Sequence, residues 1–359
     1  MKKILFILPS DQLGGSERVA QNLAYHIADT NPKYSIIIYF LKRKTSTSWQ
    51  KSHNISLVYG DAKREISALF GLVTFIYRQH NIDYTYTTHS HINAAACLLR
   101  KLKILKTNRL ILRESTVFSD RFFGLKGAIF RSLYLFYGTQ DLLICQTHYM
   151  KKRLLEEVEL SNKENIVVIQ NPLSLQLIRK KVQQDCSLSS KTFNIIMTGR
   201  LAEIKNHTLL IRALYTINKW GFSNFKLTVL GDGPLKQTIS KAITYYKLYD
   251  KIDIVGRTDN PYKYMAKADL GIITSIKEGF PNVIIEMMAS GTKDIITTPC
   301  AGELDSLPAV TITNGYCYKE LSSIIKGKIL QPLDNTSIYY RYASNRNIDK
   351  FWQRITQNL

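Results

Sequence analysis

At 359 residues, 45% of them hydrophobic, the chain is too long for one ordinary small domain and can bury a core in each of two. Charged residues make up 21% and are mixed in sign along the whole length, which excludes a disordered chain. Lysine and arginine number 49 against 28 acidic residues, and the resulting +21 points to anionic partners, a membrane surface or nucleic acid, and not to any fold.

Met1-Lys2-Lys3 leads into the apolar run Ile4-Leu5-Phe6-Ile7-Leu8, which Pro9-Ser10-Asp11 ends. Five residues are too few for the core of an export signal, so the run reads as a first buried strand. Gly14-Gly15-Ser16-Glu17-Arg18 follows, where two glycines allow close backbone approach and the next helix offers free N–H groups to an anion. Further strands are predicted at 35–41, 55–59, 84–88, 109–112, 142–146 and 166–169, with helical patterns at 18–29, 66–80 and 150–158. Such alternation predicts right-handed βαβ units and a parallel sheet.

Asn171-Pro172 closes this first series, and the polar, aperiodic stretch 180–191 reads as an interdomain connection. The expected domains are 1–172 and 173–334, with a C-terminal helix at about 335–359 packing back on the first. A second series places strands at 193–198, 226–230, 252–255, 270–273 and 295–298, and helices at 207–220, 235–247 and 283–289. Open α/β sheets bind ligands beyond the C-terminal ends of their strands. Three motifs fall there. Gly199-Arg200-Leu201-Ala202-Glu203-Ile204-Lys205 sets two cations beside a helix start, suited to a diphosphate. Gly231-Asp232-Gly233-Pro234-Leu235 is a strand-to-helix turn whose structural reading suffices. Glu278-Gly279-Phe280-Pro281-Asn282-Val283-Ile284-Ile285-Glu286 puts one carboxylate in a glycine-containing loop and a second inside an apolar helix, where it needs a partner.

The five cysteines have wide spacings and no C-x-x-C, which indicates neither a zinc site nor a disulfide framework but reduced cytoplasmic thiols. No uncharged apolar stretch reaches about 20 residues, so no spanning helix is expected.

Taken together, G-G-x-E-R, G-R-L-x-x-x-K, G-D-G-P-L, E-G-F-P-N-V-x-x-E and A-S-G-T resemble the retaining GT-B glycosyltransferases of family 4, the glycosyl transferases group 1. The resemblance covers almost the whole chain and is strongest across 193–307. It implies two Rossmann-like, doubly wound α/β domains facing each other across a cleft, with a nucleotide-sugar donor and retention of anomeric configuration. Arg200 and Lys205 would neutralise the departing diphosphate, and Glu278 would hold donor hydroxyls. Gly279, Phe280, Pro281, Asn282 and Val283 would lie against sugar or phosphate, and Glu286 would bind the ribose. The base would sit near Gly256 and Arg257, and Gly14 and Gly15 would bring the first domain's backbone to the phosphate and acceptor side. Family members often carry a histidine where this chain has Arg113 and Glu114, which makes those two candidates for the reaction centre. His89 and His91, after a neighbouring strand, are further candidates for lining the cleft. A second departure, Gly291-Thr292-Lys293-Asp294, replaces the usual Pro-Val after Gly-Thr and is assigned no function.

No D-x-D sequence occurs, so no metal and no cofactor is expected, and Arg200, Lys205 and helix N-termini take the place of a metal clamp. Cations from Arg100 to Arg131, among them Arg121 and Lys126, are interleaved with aromatic and aliphatic residues that run on to Phe136, namely Phe118, Phe122, Phe123, Leu125, Ile129, Phe130, Leu133 and Phe136. That mixture suits a lipid headgroup region. The expected function is transfer of a hexose or N-acetylhexosamine from a nucleotide-sugar to a membrane-associated or lipid-linked acceptor of the lipopolysaccharide, O-antigen or capsule type. The expected location is peripheral, on the inner face of the cell membrane. Two alternatives remain: a nucleic-acid-binding protein, supported by charge but by no recognisable motif, and another GT-B enzyme such as a nucleotide-sugar epimerase or a phosphorylase.

Overall fold

The computed structural model describes residues 1–44, 49–50, 52–60, 65–116, 124–160, 163–186, 188–189 and 191–359. It divides into two compact units, the first made of residues 1–172 with 348–359 and the second of residues 173–347.

Unit 1 is a parallel sheet of β1 (Lys2–Ser10), β2 (Tyr34–Lys42), β3 (Ile55–Tyr59), β4 (Ile82–Thr88), β5 (Thr107–Arg113), β6 (Leu142–Cys145) and β7 (Ile166–Val168). The order across the sheet is β3-β2-β1-β4-β5-β6-β7. The central strand β1 buries Ile4 through Leu8 without a break, as a strand covered on both faces must. Over one face lie α2 (Glu65–Tyr77), α3 (Ser90–Lys101), α4 (Gly124–Leu133) and α5 (His148–Glu157). Over the other lies α1 (Gly15–Thr30), whose Val19, Ala20, Leu23, Ala24 and Ile27 form one helical stripe. Glu17 fixes the start of α1 by accepting the Gly14 N–H at 3.1 Å.

Unit 2 is a parallel sheet of β8 (Phe193–Thr198), β9 (Phe225–Leu230), β10 (Ile252–Gly256), β11 (Leu270–Ile273), β12 (Asp294–Thr297) and β13 (Val310–Ile312), in the order β10-β9-β8-β11-β12-β13. Its helices include α6 (Leu175–Val182), α7 (His207–Lys219), α8 (Lys236–Tyr245), α9 (Asn282–Ser290), α10 (Tyr318–Leu330) and α11 (Thr336–Ser344).

Two expectations change. The stretch 180–191 is not the connection, because α6 already belongs to unit 2. Its end is tied in there: Asn260 Nδ2 donates to Lys181 O and to Gln184 Oε1, both at 2.8 Å. Ser187 and Ser190 lie outside the described residues. The expected helix at 335–359 is two helices with different homes. α11 stays in unit 2, with Tyr339 and Ala343 buried against the α9 core. Only α12 (Ile348–Gln357) joins unit 1, inserting Ile348, Phe351 and Ile355 beside α1. Trp352 of α12 meets Tyr34 and Tyr84 edge-on, and Asp349 pairs with His26 at 3.0 Å.

Candidate donor site

In each unit the chain winds outward in one direction and then restarts in the other. The reversal falls between β1 and β4 in unit 1 and between β8 and β11 in unit 2. Such a switch point leaves a crevice beyond the strand ends.

In unit 2 the loops that flank the reversal carry the predicted residues. Gly199–Lys205 follows β8, and Thr274–Glu278 follows β11. Lys205 Nζ meets Glu278 Oε1 at 2.6 Å, with the two side chains 20% and 16% exposed. Ser275 Oγ donates to the same carboxylate oxygen at 2.5 Å. The two loops are stitched along their backbones. Thr274 Oγ1 donates to the carbonyls of Lys205 and Asn206, and Ile276 N–H donates to Ile204 O at 2.8 Å. Glu278 N–H donates to Cys300 O at 2.7 Å, and Thr298 Oγ1 to Ser275 O at 2.6 Å, which adds the loop after β12. Arg200 is exposed in the first loop.

The glycines of G-D-G-P-L explain themselves here. Gly231 has φ +140°, and a Cβ on it would stand 1.9 Å from Gly199 O, so the turn after β9 presses against the Arg200 loop. Gly256 ends β10 and Arg257 follows it on the same side, where Gly231 N–H donates to Gly256 O at 2.8 Å.

Gly279, Phe280 and Pro281 lead into α9, whose first residues are Asn282 and Val283. Phe280 is buried, and the guanidinium of Arg346 lies 4.8 Å from its ring centre, an anchor that comes from the far end of unit 2. Glu286 is half-buried one turn into α9. His207, the first residue of α7, is 4% exposed, and its ring nitrogens have no partner among the described residues. Burial pushes its pKa down to about 4, with Lys205 adding to the effect. In the departure Gly291-Thr292-Lys293-Asp294, Asp294 is buried and receives Lys328 Nζ at 2.6 Å, so the substitution ties α10 to β12.

In unit 1, Gly14 and Gly15 are exposed at the switch point. Arg113 and Glu114, expected at a reaction centre, are instead 1% and 2% exposed. Arg113 donates to Ser16 Oγ at 3.3 Å and to Asn171 Oδ1. Glu114 accepts Tyr137 O–H at 2.6 Å and Asn93 Nδ2 at 3.1 Å, and burial pushes its carboxyl up. The strand end dips below the surface here, so both residues brace the floor of the switch point. His89 and His91 stand at the start of α3, their rings 6.0 Å apart.

Among the described residues no group of three or more His, Cys, Asp or Glu side chains could hold a metal ion, and no helix is long and apolar enough to cross a membrane. On the basic segment, Phe130 and Leu133 pack against the core, while Leu125, Ile129, Leu135 and Phe136 are 80%, 55%, 82% and 43% exposed. Phe118, Arg121, Phe122 and Phe123 lie outside the described residues, as does the side chain of Lys126.

Residues 179–333 match the family described as glycosyl transferases group 1. The chain is 33% identical over 168 residues, 47% of its length, to a Campylobacter jejuni N-acetylgalactosamine-N,N'-diacetylbacillosaminyl-diphospho-undecaprenol 4-alpha-N-acetylgalactosaminyltransferase. It is 30% identical over 236 residues, 63% of its length, to the glycosyltransferase MJ1059 of Methanocaldococcus jannaschii. These matches span about half of the relatives' own lengths, 44% and 57%. The crystal structure of Anabaena HepE in complex with UDP-glucose has the same fold, with a TM-score of 0.80 at 18% identity over 99% of both chains.

Proposed function

We propose that the chain is a retaining glycosyltransferase of the group 1 family, whose model matches residues 179–333 of its second unit. The donor is a nucleotide-sugar carrying a hexose or N-acetylhexosamine, and the acceptor is a lipid-linked glycan. The observation that carries the proposal is the Lys205–Glu278 pair at the switch point of the matched region. With donor bound, the diphosphate takes over Lys205, and Glu278 turns its freed oxygen to a sugar hydroxyl. As the bond between the anomeric carbon and the diphosphate breaks, negative charge gathers on the leaving group. Lys205, Arg200 and the amides at the start of α9 are already oriented to stabilise it. HepE holds UDP-glucose on the same fold, and the Campylobacter relative is named for a diphospho-undecaprenol substrate, which supports the donor and acceptor classes.

The exposed Leu125, Ile129, Leu135 and Phe136, in a chain of net charge +21, support peripheral attachment to an anionic membrane. Nucleic acid is not a partner in this reading. A thermal-shift panel of UDP, GDP, ADP and their sugars, followed by transfer to an undecaprenyl-diphosphate-linked saccharide, tests the activity. A ligand at 100 times its Kd adds about 2.7 kcal/mol of stability. If no nucleotide or nucleotide-sugar stabilises the protein, the reading is wrong.

A further inference from the structure

A cation is packed against the loop that joins Glu278 to α9. Arg346 stands just past the end of α11, in the penultimate position of unit 2. Its backbone is fixed on both sides: Arg346 N–H donates to Ala343 O at 3.0 Å, and Arg346 O accepts Leu173 N–H at 2.7 Å. Its guanidinium lies 4.8 Å from the centre of the Phe280 ring and 5.4 Å from that of Tyr342, and Nη2 donates to Tyr342 Oη at 3.0 Å. Phe280 is itself buried, and its carbonyl accepts the N–H of Asn282, the first residue of α9, at 3.0 Å.

Arg346 is 7% exposed, and among the described residues no carboxylate pairs with it and its Nε has no partner. Two aromatic rings and one phenol hydroxyl lower the cost of burying a guanidinium but cancel none of its charge. Folding does not account for that charge. An unbranched apolar side chain would fill the space between Phe280 and Tyr342, and replacing buried ionic groups by apolar ones of similar volume is often neutral or stabilising. What adjoins the charge is the loop into α9, with Glu278 before Phe280 and the free N–H groups of the helix start after it.

We infer that Arg346 is a positioning residue of the donor site: it sets the Phe280 loop from behind, and the diphosphate of the donor is the counter-charge that the side chains of unit 2 do not supply. The inference rests on the donor reading above and adds to it a residue outside every motif. A charge acts without contact, and at an effective dielectric of about 20 two unit charges roughly 10 Å apart change an affinity on the order of tenfold.

The test compares nucleoside diphosphates with bare nucleosides on the full chain, on Arg346→Met and on Arg346→Lys. The probes are UDP, GDP and ADP beside uridine, guanosine and adenosine, read by calorimetry and, for the nucleosides, by ligand-observed NMR. Methionine keeps the packing and drops the charge, whereas lysine keeps the charge. In Arg346→Met the Tm is expected at or above the parent's, the affinity for the preferred diphosphate lower by about tenfold, and the affinity for its nucleoside within about twofold. Arg346→Lys is expected to hold the diphosphate within about threefold of the parent. Parental diphosphate affinity in Arg346→Met overturns the inference. So does an equal loss of diphosphate and nucleoside, or a methionine variant that fails to fold, since each assigns Arg346 to the fold alone. A loss in Arg346→Lys as large as that in Arg346→Met also overturns it, because charge is then not what acts. A parent that binds no nucleoside diphosphate removes the donor reading and this inference with it, whereas every other failure leaves the donor reading standing.

Discussion

At the residue scale the proposed donor site rests on one short ion pair and on how it divides its work. Lys205→Ala and Arg200→Ala are expected to weaken UDP binding by about 1.5–3 kcal/mol each, the usual cost of a lost charge-assisted bond, with far-UV circular dichroism unchanged. Calorimetry with UDP decides it: parental affinity in both variants removes these residues from the diphosphate. Glu278→Gln is expected to lower turnover more than affinity for bare UDP, because a residue that holds the sugar acts on the sugar's position in the transition state. Glu286→Gln, if that residue binds the ribose as the family resemblance implies, is expected to weaken bare UDP as well. Equal losses of UDP affinity in the two variants would merge their roles. Which of these residues were legible in the sequence follows from how far each depends on folding. Lys205 and Glu278 stood in motifs bounded by glycine. Ser275, which completes the Glu278 carboxylate, and Arg346, which anchors Phe280, sit in no motif and are brought there only by the closing of unit 2. Arg113 was a candidate only through the position that family members often give to histidine, and its burial, with hydrogen bonds to Ser16 and Asn171, comes from folding and left no mark in the sequence.

At the element scale the strands were the most legible part. Parallel strands covered on both faces read as unbroken apolar runs, as in Ile4–Leu8, whereas β13 is a three-residue strand at the sheet edge and left no such run. The stretch 180–191 looked like a linker because Gln183, Gln184 and Asp185 continue a polar, aperiodic run, although its first residues close α6, which Ile178 seats in the core of unit 2. Helix α7 begins with a buried neutral histidine, and this makes stability depend on pH. The folded pKa of His207, about 4, is below the ordinary 6.5, so on acidification the unfolded chain takes up a proton that the native state refuses. Stability is therefore complete above about pH 6.5 and falls towards pH 4, by about 3 kcal/mol if His207 acts alone. Melting curves of the parent and His207→Leu across that range check this. A slope that survives the replacement assigns the loss to other groups. Helix α4 is expected to carry the membrane contact. Leu125→Ser with Ile129→Ser should reduce salt-resistant binding to anionic vesicles, and Arg131→Gln the salt-sensitive part, since salt screens charges beyond about 8 Å. Cosedimentation reads both, and a parent that ignores anionic vesicles at low salt rules the contact out.

At the scale of the whole molecule the excess of positive charge fits two parts of the proposed reading, long-range attraction of anionic donors and surfaces, and stabilisation of a leaving diphosphate by Arg200 and Lys205. Transfer is therefore expected to persist in excess EDTA, measured with the same nucleotide-sugar and acceptor. A strict need for added manganese or magnesium would count against Arg200 and Lys205 as the charge-neutralising pair.

Unit 1 is discontinuous in the chain: α12 completes it only after the whole of unit 2. On the ribosome, at roughly 5–20 residues per second, synthesis of the intervening segment takes on the order of 10–30 s. Through that interval the nascent sheet of unit 1 has no Phe351 or Ile355 to seat beside α1, and Tyr34 and Tyr84 lack the indole of Trp352. The sticky seam that results is one a chaperone must shield, and chains released early, before Ile348, carry it permanently into the pool that proteases clear.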